Sequence, residues 1–304
     1  MAQEKYVAYV GTYTHENSIG IHVYDIDMEK GKLTERSVAP ISNPSNIAVA
    51  HSGKYLYSIE DEGVASFSID ENGDLTKINQ AWIGGMRACY VEIDSNDRYL
   101  FLAGFHDGKV TMMRLNEDGS IAGIADGVFH QGVGKSSVEK RMDPRVSCTK
   151  LTPDEKYLCA VDWGLNQIKI YEVDYEEGKL HLYDILRFPF NSAPRRIRFS
   201  KDGKFAYVLE ETTNMVDIYT YDLREGKPVF EKIKTTSVLE KEDSLASGSA
   251  LEFAPDGKYL YVSLDGANEV VCLAVGEDGL ISIEETTKIS GDYPKCITIL
   301  PDNK

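Results

Sequence analysis

The 304-residue chain carries 49 acidic against 33 basic side chains, a formal net charge of −16, with 42% hydrophobic and 27% charged residues. That balance excludes a disordered or fibrous class and repels nucleic acid and anionic membrane surfaces, so neither is expected as a partner. No window is apolar enough for a membrane span, no basic segment leads into an apolar run at the N-terminus, and five scattered cysteines lack CxxC spacing. The expectations are a cytoplasmic chain whose thiols are buried, with no disulfide framework and no zinc site.

Residues 5–37 read as three strands, "KYVAYVGTY", "IHVYDID" and "KLTERS". Five longer units follow, each a short strand, a turn, an alternating strand, a third strand and a closing hairpin. The alternating strands are "AHSGKYLYSIED" (50–61), "DSNDRYLFLAGF" (94–105), "TPDEKYLCAVDW" (152–163), "SKDGKFAYVLEE" (200–211) and "APDGKYLYVSLD" (254–265). Before each turn lies "SNIAVA", "CYVEI", "SCTKL", "RRIRF" or "SALEF", and after each alternating strand "VASFSID", "VTMMRLN", "IKIYEVD", "VDIYTYD" or "VVCLAVG". A repeat of about 44 to 58 residues holding four short antiparallel strands predicts β-propeller blades, and the period-2 alternation excludes helical repeats. The chain ends on "PKCITILPDNK", read as one more innermost strand from Lys295 to Leu300 and half a turn. That strand either completes the first blade of a six-bladed ring or opens a seventh blade. The turn-like ending favours the second, a single all-β propeller domain over residues 1–304 lacking the end of its seventh blade.

In a propeller the innermost strands line a central channel, and equivalent positions form rings around it. The first residues of these strands are Ser45, Cys89, Ser147, Arg195, Ser249 and Lys295; the far ends of the next strands carry Glu60 and Asp61, Asp162, Glu210 and Glu211, and Asp265. Antiparallel neighbours start and end on the same face, so the cations and the acids are expected at one mouth. Arginine beside carboxylate there is a plausible reaction centre. The rival reading is a structural ion pair. Six histidines show no metal-ligand spacing and no metal is assigned, although carboxylates such as Asp162, Glu210 and Glu211 leave a hard cation open; no phosphate loop or nucleophile elbow is present, which argues against an acyl-enzyme.

"VGTYT", the repeated Gly-Lys-aromatic turns, "FHQGVGKSS" and "APRRIRFSKDGKFAYVLEE" together resemble the seven-bladed propeller lactonase family, through the whole chain and including the insert from Phe129 to Asp143. The resemblance implies hydrolysis of a sugar lactone such as 6-phosphogluconolactone without a cofactor, and a monomer is the default expectation. The family's Pro-Arg-His and Asn-Glu pattern is represented by Pro194-Arg195-Arg196 and Glu210-Glu211, which implies Arg195 and Glu211 as the catalytic pair. Arg145, Ser147, Asp162, Arg196, Glu210 and Lys295 are the accompanying candidates for substrate binding. Two family residues are changed: a histidine of the preceding blade aligns with Ser147 in "DPRVSC", and a later arginine aligns with Asp265 in "SLDGAN". Arg87, Arg145, Arg196, Lys295, Lys135, Lys140 and Arg141 could compensate as a positive funnel. A non-catalytic propeller that binds a small metabolite or a protein at the same mouth stays open as the alternative.

Overall fold

The computed structural model describes residues 6–15, 17–132, 143–242 and 245–301. Among them every regular element is a strand, and no helix is long and apolar enough to cross a membrane. The first sheet has three strands, β1 (Tyr6–Val10), β2 (Gly20–Asp27) and β3 (Lys32–Pro40). The second joins β4 (Ile47–Val49), β5 (Tyr55–Glu60), β6 (Gly63–Ile69) and β7 (Leu75–Ala81); the third joins β8 (Tyr90–Ile93), β9 (Tyr99–Ala103), β10 (Lys109–Leu115) and β11 (Ile121–Phe129). Next come β12 (Val146–Leu151), β13 (Tyr157–Asp162), β14 (Gln167–Asp174) and β15 (Lys179–Arg187), then β16 (Pro194–Phe199), β17 (Phe205–Glu210), β18 (Met215–Arg224) and β19 (Lys227–Ser237). The last sheet holds β20 (Ser247–Phe253), β21 (Tyr259–Asp265), β22 (Glu269–Val275) and β23 (Ile281–Lys288). Each four-stranded sheet is an antiparallel meander in chain order, the topology of a propeller blade.

The expected innermost strand at Lys295–Leu300 is not formed: residues 294–300 carry no ladder, and β1 is joined in its sheet only to β2. The chain divides into two compact units, Met1–Thr149 with Val173–His181, and Lys150–Glu172 with Leu182–Lys304; the β12–β15 sheet contributes residues to both.

Five equivalent turns join the first and second strands of the blades. Gly53 N–H donates to the Ala50 carbonyl at 2.9 Å, and the same bond recurs from Asp97 to Asp94, Glu155 to Thr152, Gly203 to Ser200 and Gly257 to Ala254. The second strands are buried on both faces. In β5, Leu56 packs with Ile21, Ala39 and Phe67 toward the first sheet, while Tyr57 and Ile59 pack with Val91, Leu100 and Leu102 toward the third. Alternation therefore survives in the sequence not as apolar against polar but as two apolar faces serving two cores. In the second unit Tyr207, Leu209, Leu260, Val262 and Leu273 form the corresponding core. Outer strands such as β7 and β23 are largely exposed.

A repeated lock ties neighbouring sheets within each unit. Tyr57 Oη donates to the Gly119 carbonyl at 3.1 Å, and Tyr207 Oη to the Gly279 carbonyl at 2.8 Å. Both glycines sit at φ +77°, and an added Cβ would lie 2.2 Å from the Tyr55 ring or 2.4 Å from the Phe205 ring. Only glycine allows the hairpin to close against the aromatic. No disulfide joins the five cysteines; Cys148 and Cys159 are buried as expected, Cys89 and Cys272 are half-buried, and Cys296 is exposed.

Candidate active site

The site lies in the second unit, where β16 follows an unusual entry. Asn191 and Ala193 both have left-handed backbones, at φ +66° and +53°. Alanine pays for that conformation, and the buried Asn166 side chain holds it there: its Oδ1 accepts the Ala193 N–H at 2.9 Å. The Glu211 N–H in turn donates to the Ala193 carbonyl at 2.9 Å. One residue later the ladder slips. Pro194 faces Glu210 and Arg196 faces Leu209, so Arg195 has no ladder partner and occupies a β-bulge. Bulges re-aim side chains, and here the bulge turns the guanidinium toward the end of β17.

Arg195 Nε donates to the Ser249 carbonyl at 3.0 Å, and its Nη1 donates to Glu211 Oε2. The same oxygen accepts the indole N–H of Trp163 at 2.8 Å. The other carboxylate oxygen, Oε1, lies 3.5 Å from Ser247 Oγ. Lys295 is ion-paired with Asp265, and its segment is anchored where Ser263 Oγ donates to the Pro294 carbonyl at 2.8 Å. Burial pushes the Lys295 ammonium below the usual lysine range; Arg195 adds to that and Glu211 opposes it, so the three charges sense one another. A second slip, between Gly248 and Leu251, falls at Ser249. Ser249 Oγ and Asp265 Oδ1 are buried there without a hydrogen-bond partner among the described residues.

Of the residues singled out from the sequence, the structure brings together Arg195, Glu211 and Lys295, with Asp265 beside them. Glu210 goes elsewhere, because adjacent strand residues point to opposite faces. It is buried in its own blade, accepts from Thr213 Oγ1, and lies near Asp217 and Lys232, with burial pushing its carboxyl above the usual range. Asp162 is also fully buried, and its Oδ1 accepts the Leu165 N–H at 3.0 Å across the β13–β14 turn. Arg196 Nη1 reaches back to the Arg195 carbonyl at 3.3 Å.

Arg145 and Ser147 belong to the first unit. Arg145 lies over the Phe105 ring at 5.3 Å, and Ser147 is buried with its carbonyl 3.8 Å from Cys89 Sγ. Arg87 pairs with Asp61 at 3.5 Å. Lys135, Lys140 and Arg141 lie outside the described residues. Among the described residues no three His, Cys, Asp or Glu side chains are grouped as metal ligands.

Two residues that shape the site were missed in the sequence. Trp163 stands six positions after the turn aromatic Tyr157, as Glu211 stands six after Phe205, so the repeat alignment places it on the acid's ring; attention to the preceding Asp162 hid it. Asn166 gave no signal beyond being an asparagine in a turn.

Comparison with known proteins agrees with this architecture. The family described as Lactonase, 7-bladed beta-propeller matches residues 7–304. The chain is 32% identical to 6-phosphogluconolactonase of Bacillus subtilis over 98% of its own length and 86% of the relative's. Among solved structures, a putative 6-phosphogluconolactonase from Bacteroides fragilis is 26% identical with a TM-score of 0.87, covering 99% of this chain and 86% of that one. The periplasmic gluconolactonase of Pseudomonas aeruginosa is 27% identical with a TM-score of 0.89, covering 98% and 87%. The chain therefore belongs to the seven-bladed β-propeller lactonase family.

Proposed function

We propose that this lactonase-family chain hydrolyses a sugar-acid lactone, with 6-phosphogluconolactone as the leading substrate, and that Arg195 and Glu211 carry the reaction. The observation that carries the reading is the carboxylate of Glu211, fixed through one oxygen by Arg195 and Trp163 and offering the other beside Ser247.

Lactone opening needs a base for water and a positive or hydrogen-bonding group for the oxyanion. Glu211 takes a proton from water as its oxygen attacks the lactone carbonyl carbon. The guanidinium of Arg195, held by the Ser249 carbonyl, stabilises the tetrahedral oxyanion. Collapse breaks the ring C–O bond, and the departing alkoxide receives the proton from Glu211, giving the open hydroxy acid with every atom accounted for.

Lys295 is the group for an anionic end of the substrate. Its ion pair with Asp265 is net neutral, so an anionic substrate group competes with that carboxylate for the ammonium. The reaction needs no cofactor, and the proposed setting is a cytoplasmic monomer acting on a small molecule.

The test is a substrate series: 6-phosphogluconolactone, glucono-1,5-lactone and an aliphatic lactone, each against its spontaneous hydrolysis. The proposal expects acceleration of the sugar lactones, with the phosphorylated one preferred. Hydrolysis of all three at the spontaneous rate refutes it.

A further inference from the structure

In the first unit a pocket of about 600 Å³ opens beside the end of β5, well within the range of small-molecule sites. Its lining includes Glu60, Asp61, Glu62, Gln80, Trp82 and Arg87. Trp82 is 68% exposed, so its indole is open to a ligand on the pocket wall. The charges around it are largely matched. Glu60 is paired with Lys77 at 3.5 Å, and Asp61 with Arg87, so that among the described residues Glu62 is the lining carboxylate with no ion-pair partner.

The walls are fixed in advance. Asn43 Nδ2 donates to both oxygens of Asp61 at 2.8 and 2.9 Å, and Arg87 Nη2 donates to Ser45 Oγ at 2.8 Å. The backbone of residues 83–86 is pinned from behind: the buried Lys109 ammonium donates to the Ile83 and Gly84 carbonyls at 2.8 Å each, and Asp107 accepts the Met86 N–H at 2.8 Å. A pocket held this way loses little freedom on binding.

An almost charge-balanced pocket with an open indole face, an amide, a guanidinium and carboxylates suits one ligand chemistry. A neutral sugar ring presents a face of C–H groups that packs on an indole, and an edge of hydroxyls that both donate and accept. A phosphorylated or carboxylate sugar would meet Glu60, Asp61 and Glu62, and a simple organic cation would find two of those three carboxylates already paired with Lys77 and Arg87 and would leave the Gln80 amide N–H donors without an acceptor. We propose that this pocket is a second, non-catalytic binding site for a neutral carbohydrate, with Trp82 as its stacking platform.

The chain has two tryptophans, Trp82 here and Trp163 at the candidate active site, so one measurement reads both places separately. The indole N–H resonances of nitrogen-15-labelled protein, assigned with Trp82→Phe, are followed during titration with the methyl glycosides of glucose, galactose and mannose, with choline and glucose 6-phosphate as the cationic and anionic comparisons. The expected result is a saturable shift of the Trp82 resonance with at least one methyl glycoside, at lower concentration than with choline or glucose 6-phosphate. Trp82→Ala should abolish the sugar's binding heat while leaving lactonase activity and the far-ultraviolet circular dichroism within error of wild type. A Trp82 resonance unmoved by all three glycosides, moved without saturation, or moved more readily by choline or glucose 6-phosphate overturns the proposal, whatever the Trp163 resonance does.

Discussion

Removing one hydrogen bond from Glu211 tests the geometry of the reaction centre more finely than removing the carboxylate. Trp163→Phe keeps a ring of similar shape and deletes the indole N–H that donates to Glu211 Oε2 at 2.8 Å. A hydrogen bond to a charged group contributes about 1.5–3 kcal/mol. At 1.36 kcal/mol per factor of ten, loss of that much transition-state stabilisation lowers kcat/KM by roughly 10- to 150-fold. The loss should fall mainly on kcat, because the bond orients the base and does not touch the substrate. The assay is lactone loss followed continuously, with spontaneous hydrolysis subtracted at each concentration, and Trp163→His, whose ring retains an N–H, as the partial rescue. A Trp163→Phe enzyme within twofold of wild type in kcat, or one in which only KM rises, would refute the claim that Trp163 positions Glu211.

Three stability predictions follow from the scaffold. Asn166→Ala leaves the buried Ala193 N–H without its acceptor and costs about 1–3 kcal/mol; urea unfolding should show this, with Asn166→Asp recovering most of the loss because it keeps the acceptor. Gly279→Ala forces a Cβ onto the Phe205 ring at φ +77°, so its unfolding midpoint should fall by the equivalent of at least about 1–2 kcal/mol, the left-handed cost alone. Glu210→Gln should raise the melting temperature at pH 7 and make little difference near pH 4. Burial holds the folded Glu210 carboxyl above its ordinary 4.5, so folded and unfolded chains both keep the proton below that value. As pH rises toward the folded value the unfolded chain gives it up first and stability falls. Equal effects of Glu210→Gln at both pH values would contradict that origin.

The blades were legible because one structural decision is written five times. The turns, three of them Gly-Lys-aromatic and the other two Asp97-Arg98-Tyr99 and Glu155-Lys156-Tyr157, specify the hairpin locally with the alternating strands after them, and the structure forms each at the expected place. Lys295–Leu300 reads the same way, yet it forms no ladder, because a strand also needs a partner and sequence pattern alone cannot supply one. The site was legible in part for a related reason. Position in the repeat brought Arg195, Glu211 and Lys295 together, but it could not say which of two adjacent acids faces the site, and Glu210 turns into its blade. The bulge at Arg195 and the strained Ala193 that precedes it depend on a contact with Asn166 far along the chain. Such a contact has no local signature.

The central claim is that Arg195 and Glu211 catalyse lactone opening. Its most direct test is the rate of 6-phosphogluconolactone hydrolysis by wild type, Arg195→Ala and Glu211→Gln, each shown to be folded by circular dichroism and measured against spontaneous opening at the same pH. The account predicts clear acceleration by wild type and a fall of at least about 100-fold in kcat/KM for each variant, as expected when a base or an oxyanion-stabilising group is lost. Variants as active as wild type, or a wild type no faster than the spontaneous reaction, would contradict it.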